Sequence, residues 1–329
     1  METPAVPPAL DVPVWEREVS TSGRGPSYWI EPPPPLTWRS VRLNILLFLA
    51  TVVTVFLAGG LREFRDSTGA IAVGLSVPDG LRLVAGVLTI LLCHEMGHYV
   101  ACRYYGVAAT LPFLIPAPPL LVGTFGALIR IKGPIPHRRA LFDIGIAGPL
   151  AGFVACLPIL VLGVVNAQVR PTPQGDVGPF FGEPLLLRWV TIWIKGPIAD
   201  DMTLFVDPWG MAAWFGLFVT ALNLIPVGQL DGGHVTYALF RQRAHVISWI
   251  AFGACLCLIY FGPNWLIWSA LLWFLRRPHP PTLDDASPLG RGRAIVGAVG
   301  LIVFMLSFTP SPIVGSWHTF LQAFGYGGR

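Results

Sequence analysis

Apolar stretches long enough to cross a lipid bilayer recur along this chain, and no other feature limits its fold so strongly. An α-helix rises about 1.5 Å per residue, so about 20 apolar residues cover a hydrocarbon core about 30 Å thick. Runs of this kind occupy Val41–Ala58, Leu81–Tyr104, Leu141–Val165 and Trp209–Pro226. They recur at His245–Phe261, Asn264–Leu275 and Ala294–Thr309. Asn264–Leu275 is too short for an upright span and pairs with its predecessor through Gly262-Pro263. Hydrophobic residues make up 53% of the chain and charged residues 12%, against about 25% charged in soluble proteins. A soluble domain this apolar could not cover its own surface. The expected fold is an all-α polytopic membrane protein with about six to seven transmembrane helices.

Residues 1–40 are Pro-rich and acidic, ending in the run Pro32 to Pro35. They lack the basic start and apolar core of a signal peptide, and are read as a flexible cytosolic tail. The apolar body spans 41–310, with a short C-terminal tail at 311–329. With a cytosolic N-terminus and seven crossings, fifteen Lys and Arg fall inside and seven outside. That asymmetry matches the positive-inside rule and suggests a multi-pass protein of the cell (inner) membrane. The net charge of +4 is small and dispersed, which argues against a nucleic-acid partner. In Thr124–Lys132, Phe125, Ala127, Ile129 and Ile131 alternate with their neighbours at a strand period, so a small membrane-associated β-hairpin is expected there. Leu185 to Ile194 reads as a short amphipathic piece whose role the sequence does not disclose.

Within the second apolar run stands His94-Glu95-Met96-Gly97-His98, an HExxH. On a helix, positions i and i+4 share a face, so both imidazoles can reach one ion while Glu95 stands beside them. Ionisable groups in a lipid-compatible helix are costly unless function requires them. A catalytic zinc takes three protein ligands and leaves one position open. Asp231 is the only carboxylate of the apolar region at the end of the fourth run, where Pro226, Gly228, Gly232 and Gly233 interrupt the helix. In the seven-crossing topology it lies at the same depth as the histidines. His234 is also near, but as a fourth ligand it would close the site. Cys93 points about 100° away from His94 around the helix. The five cysteines form no disulfide framework. Asp143 fits two roles, a partner to a ligand histidine or a cap of its own helix. Gly145, Gly148 and Gly152 are read as positions of close helix approach.

These residues resemble the site-2 protease family of intramembrane zinc metalloproteases. The resemblance rests on His94-Glu95-Met96-Gly97-His98 and on the Asn-x-x-Pro-x-x-x-Leu-Asp-Gly run from Asn223 to Gly232. It is strengthened by Gly123–Ala127 and by Phe142–Gly152, and covers roughly residues 41–310. The chain is similar to compact bacterial and plastid-type members without PDZ or CBS domains. The resemblance implies one Zn2+ per chain on His94, His98 and Asp231, with Glu95 as catalytic base. It also implies that Asn223 and Pro226, together with Thr124 and Gly126 of the strand, contact the substrate or its oxyanion. The expected activity is hydrolysis of peptide bonds in or near the transmembrane segment of a single-span membrane protein, in regulated intramembrane proteolysis. The alternatives are a non-proteolytic zinc-binding scaffold or a metal transporter. A transporter would spread ligands along a path, often in repeated halves, whereas these converge on one place. A scaffold has no use for Glu95.

Overall fold

The computed structural model describes residues 37–65, 71–119, 122–172, 180–276 and 281–314. The expected tails therefore lie outside the described residues except at 37–40 and 311–314, and residues 38–40 already belong to the first helix. The chain runs through α1 (Trp38–Gly60), β1 (Leu61–Arg65), β2 (Ile71–Leu75), α2 (Val77–Tyr104), β3 (Phe113–Pro116) and β4 (Thr124–Leu128). It continues through α3 (Arg138–Asn166), β5 (Gln168–Pro171), β6 (Phe180–Phe181), α4 (Leu185–Lys195), β7 (Met202–Phe205) and α5 (Pro208–Leu224). The last part comprises α6 (Asp231–Phe240), α7 (Arg243–Cys257) with a 3-10 turn at Leu258–Phe261, α8 (Asn264–Leu275), α9 (Arg291–Ser307) and β8 (Ile313–Val314).

Local chemistry sets the helix starts. Pro78 sits in the first turn of α2, where its missing N–H costs nothing. His137 caps α3, its ring accepting from Ala140 N at 3.0 Å. Asp207 caps α5, accepting from Gly210 N at 2.9 Å, with Pro208 as the first helical residue. Pro149 and Pro158 both lie inside α3, which nonetheless runs on for 29 residues. Such prolines are tolerated in membrane helices because neighbours satisfy the freed backbone groups.

Four helices among the described residues are long and apolar enough to cross a membrane: Val41–Gly60, Val77–Tyr104, Arg138–Asn166 and Arg243–Phe261. The sequence expectation was six to seven. The helices α5 and α9, 17 residues each, are apolar but shorter. In α5, Ala212, Ala213 and Leu217 are fully buried, so its hydrophobicity serves the protein interior, where α2, α3 and α5 form one core with Val87, Ile90, Ile159 and Leu160. The outer faces of α1, α7 and α8 expose large apolar side chains, including Leu46, Leu49, Ile250, Ile267 and Phe274. Exposure on this scale fits contact with lipid.

In the Thr124–Lys132 region, β3 and β4 pair antiparallel, with Phe113 opposite Leu128 and Leu114 opposite Ala127. The strand stops at Leu128, but pairing resumes where Thr110 N donates to Arg130 O and Lys132 N to Ala108 O. Among the described residues no strand pairs with the other edge of β4. A second antiparallel pair, β1 with β2, joins α1 to α2. The charged residues Arg62, Glu63 and Arg65 obscure its alternation in the sequence. The amphipathic segment forms α4 as expected.

Candidate metal centre

Two elements separated by more than a hundred residues meet at the site. The helix α2 presents His94 and His98 one turn apart, both buried. The other half arises where α5 ends at Leu224 and the backbone breaks before α6 opens on Asp231. The break is held from outside: Gln229 N donates to Leu275 O at 3.1 Å. Gly228 takes φ +46, and a Cβ there would lie 2.1 Å from the same carbonyl, so only glycine fits. Gly232 and Gly233 pass equally close to the carbonyls of Leu224 and Gly228. Asp231 thus stands in the first turn of α6, where a helix favours negative charge.

The His94 Nε2, His98 Nε2 and Asp231 Oδ2 atoms form a triangle with every side 3.2 Å. Ligand bonds of about 2.0–2.1 Å in a tetrahedral zinc site separate ligand atoms by about 3.3–3.4 Å. The triangle therefore has the dimensions of one tetrahedral face, with the fourth corner left to a non-protein group. Two imidazoles and a carboxylate also match the donor preferences of zinc. The His98 Nδ1–H donates to the Ile144 carbonyl at 2.6 Å. A carbonyl can only accept, so this bond fixes the tautomer and leaves the Nε2 lone pair for a metal.

Glu95 is buried beside the triangle, within electrostatic reach of all three ligands, and the Ile129 backbone N–H comes near its carboxylate. That approach brings the residue just past β4 to the carboxylate. Asn223, in the last turn of α5, brings its side-chain nitrogen within 3.2 Å of His94 Nε2. Pro226 lies in the broken segment between α5 and α6 and lines an adjoining cavity. Thr124 and Gly126 do not join the triangle. The Thr124 hydroxyl donates to Ile115 O at 2.8 Å and accepts from Gly126 N at 3.0 Å, tying β4 to β3. Gly126, at φ +107, has open space where a side chain would stand. His234 and Cys93 are outside the ligand group, which comprises His94, His98 and Asp231.

Gly148 and Gly152 of α3 lie directly against the two histidines. A Cβ on Gly148 would fall 2.1 Å from His98 Nε2, and one on Gly152 3.0 Å from His94 Cβ. Asp143 plays neither of the roles weighed for it. Its helix begins earlier, at Arg138, and its carboxylate pairs with Arg293 at 2.6 and 2.9 Å and accepts from Tyr105. It joins α3 to α9 beside the Ile144 carbonyl. Replacing Asp143 by Asn is expected to lower stability by about 1 kcal/mol or less, since the pair is partly exposed. Zinc content, measured on the purified variant, should not change.

The family model for peptidase family M50 matches residues 82–259. The chain is similar to the probable zinc metalloprotease EGY1, chloroplastic, of Oryza sativa subsp. japonica, with 29% identity over 94% of this chain and 55% of that protein. Its Arabidopsis thaliana counterpart is 30% identical over 85% of this chain and 55% of its own length. The probable zinc metalloprotease EGY3, chloroplastic, of Oryza sativa subsp. indica is 32% identical over 71% of this chain and 43% of its own. The chain thus spans about half the length of these curated relatives, and no solved structure matches it. The matched segment contains the HExxH helix, the glycine face of α3 and the Asp231 loop, so the chain belongs to peptidase family M50, the site-2 protease family its motifs resemble.

Proposed function

We propose that this protein is a zinc-dependent endopeptidase that cuts peptide bonds in or near the transmembrane segments of single-span membrane proteins. The observation that carries this reading is the 3.2 Å triangle of His94, His98 and Asp231, with Glu95 buried close to all three. A zinc ion held there would supply Lewis acidity, lowering the pKa of a water and polarising a carbonyl. Glu95 takes the proton from that water as its oxygen attacks the scissile carbon. It then delivers the proton to the leaving amine as the C–N bond breaks. The Asn223 amide, already pointed at the site, donates to the oxyanion that develops.

A transmembrane helix hides its peptide bonds, so the substrate must unwind before it is cut. The edge of β4 that no described strand pairs offers main-chain hydrogen bonds to an extended segment, and its end at Ile129 comes near Glu95. The break around Pro226 gives water a route past non-helical backbone. In this reading α5, α9 and the α7–α8 pair complete six to seven crossings, and the N-terminus is cytosolic. The test is cleavage of a single-span peptide by the purified full chain. Activity should vanish on dialysis against a zinc chelator and return on adding zinc. Undiminished cleavage by metal-free protein would rule the proposal out.

A further inference from the structure

A second site opens behind the Asp231 loop. A cavity of about 890 Å³ has the backbone of Pro226, Gly228 and Gly233 as one wall, and Arg241, Arg243 and Arg276 line it. Arg241 lies in the two-residue join between α6 and α7, Arg243 opens α7, and Arg276 follows the last residue of α8. A neighbouring cavity of about 530 Å³ shares Arg241 and Arg243 and adds Arg138. Arg138 and Arg241 are close enough for their charges to oppose each other. Like charges brought together in a concave place favour an anion beside them.

Among the described residues Asp285 is the one carboxylate that lines this cavity against three arginines. Arg241, Arg243 and Arg276 enter no ion pair among those residues. Asp285 spends both carboxylate oxygens on Thr282 and Tyr237. Burial alone would raise its pKa, but those hydrogen bonds and the charge of Arg138 hold it below the usual carboxylate range. Among the described residues the Arg241 side chain hydrogen-bonds the Asp285 backbone carbonyl and no carboxylate. Arg241 is also the one non-glycine residue with positive φ among the described residues, at +55, a strained geometry of the kind that collects at binding sites.

Arg276 is the most telling of the three. Its guanidinium lies 3.4 Å from the ring centre of Trp249, 4.4 Å from that of Trp273 and 5.3 Å from that of Phe252. Three rings thus hold a planar cation in a set direction. Its Nε is buried and has no hydrogen-bond partner among the described residues, so a dehydrated donor awaits an acceptor. Planar guanidinium forks match phosphate oxygens. Trp249 and Trp273, together with Val246, Ile250 and Phe274, continue from the cage as exposed apolar surface on α7 and α8. The arginines therefore stand at the ends of two lipid-facing helices, the level at which lipid phosphates lie.

We propose that this cavity binds a phosphate-bearing anion through Arg241, Arg243 and Arg276, and that the apolar faces of α7 and α8 make a membrane phospholipid its natural carrier. The site stands apart from the proposed peptidase activity, so its test reads binding and not cleavage. The full chain is reconstituted in vesicles of phosphatidylcholine alone, or of phosphatidylcholine and phosphatidylglycerol in equal parts, and bound lipid is counted by native mass spectrometry. Wild type should retain phosphatidylglycerol saturably. Arg243→Gln and Arg276→Gln should each weaken retention about tenfold, while Arg130→Gln, which removes an exposed charge elsewhere, should not. A parallel arm titrates inorganic phosphate into detergent-solubilised protein. Phosphate binding with the same variant dependence, without lipid retention, supports the site and assigns it to a free anion. Equal loss in Arg130→Gln, or no saturable binding of either probe, would overturn the proposal. Arg243 is exposed at the start of its helix, so its variant keeps the test decisive if the caged Arg276 is needed for folding.

Discussion

Glu95→Gln is expected to slow cleavage of a single-span peptide by about 10²- to 10⁴-fold, the usual worth of a positioned general base, and to leave zinc binding intact. The two effects separate because Glu95 lies outside the ligand triangle. Glutamine keeps the volume and the hydrogen-bonding carbonyl of the side chain but cannot accept a proton at working pH. The Ile129 N–H nearby can face the amide oxygen as it faces the carboxylate, so the local structure has no reason to change. Cleavage assays and metal analysis on the same preparation check both halves. Equal cleavage by variant and wild type would remove Glu95 from the mechanism.

Gly148→Ala is expected to be nearly as damaging, through zinc and not through the proton. In an ordinary helix this change stabilises by about 0.5–1 kcal/mol. Here the new methyl would sit 2.1 Å from His98 Nε2 and 2.4 Å from the adjacent ring carbon, so the imidazole must turn or α3 must retreat from α2. Turning the ring breaks the bond to Ile144 O that fixes its tautomer. Retreat carries that carbonyl away with the helix. Either outcome should weaken zinc by at least about 10- to 100-fold, the cost of losing a ligand's supporting hydrogen bond. Gly253→Ala on α7, where a Cβ meets nothing within 4 Å, is the control and should keep full zinc content. The check is a zinc-competition titration of the three proteins.

The histidine pair was legible because a helix converts the spacing of His94 and His98 directly into a shared face. Asp231 was legible for a different reason. It is the one carboxylate in an apolar region, and Pro226, Gly228, Gly232 and Gly233 announce that the backbone around it is not helical. The groups that hold the site in place were not legible. The Ile144 carbonyl is a backbone atom, and no residue type marks it. Outside the ligand triangle, Arg293 ties α9 to Asp143 of α3 across 150 positions of chain, which local spacing cannot reveal either. Gly145, Gly148 and Gly152 could be read as a packing face, but not that Gly148 and Gly152 press on the ligand imidazoles. The cage around Arg276 needs rings from two helices, joined only by the fold. Span counting was limited by α5, whose apolar composition serves burial among α2 and α3 as much as contact with lipid.

The central claim is that His94, His98 and Asp231 together hold one zinc. Its most direct test is the zinc-to-protein ratio of purified wild type and Asp231→Ala after identical dialysis against a competing chelator. The account predicts about one zinc per wild-type chain and little or none in the variant, since removing a ligand should cost more than the roughly 10- to 100-fold lost with a supporting residue. An Asp231→Ala protein that keeps the full wild-type zinc content would contradict it.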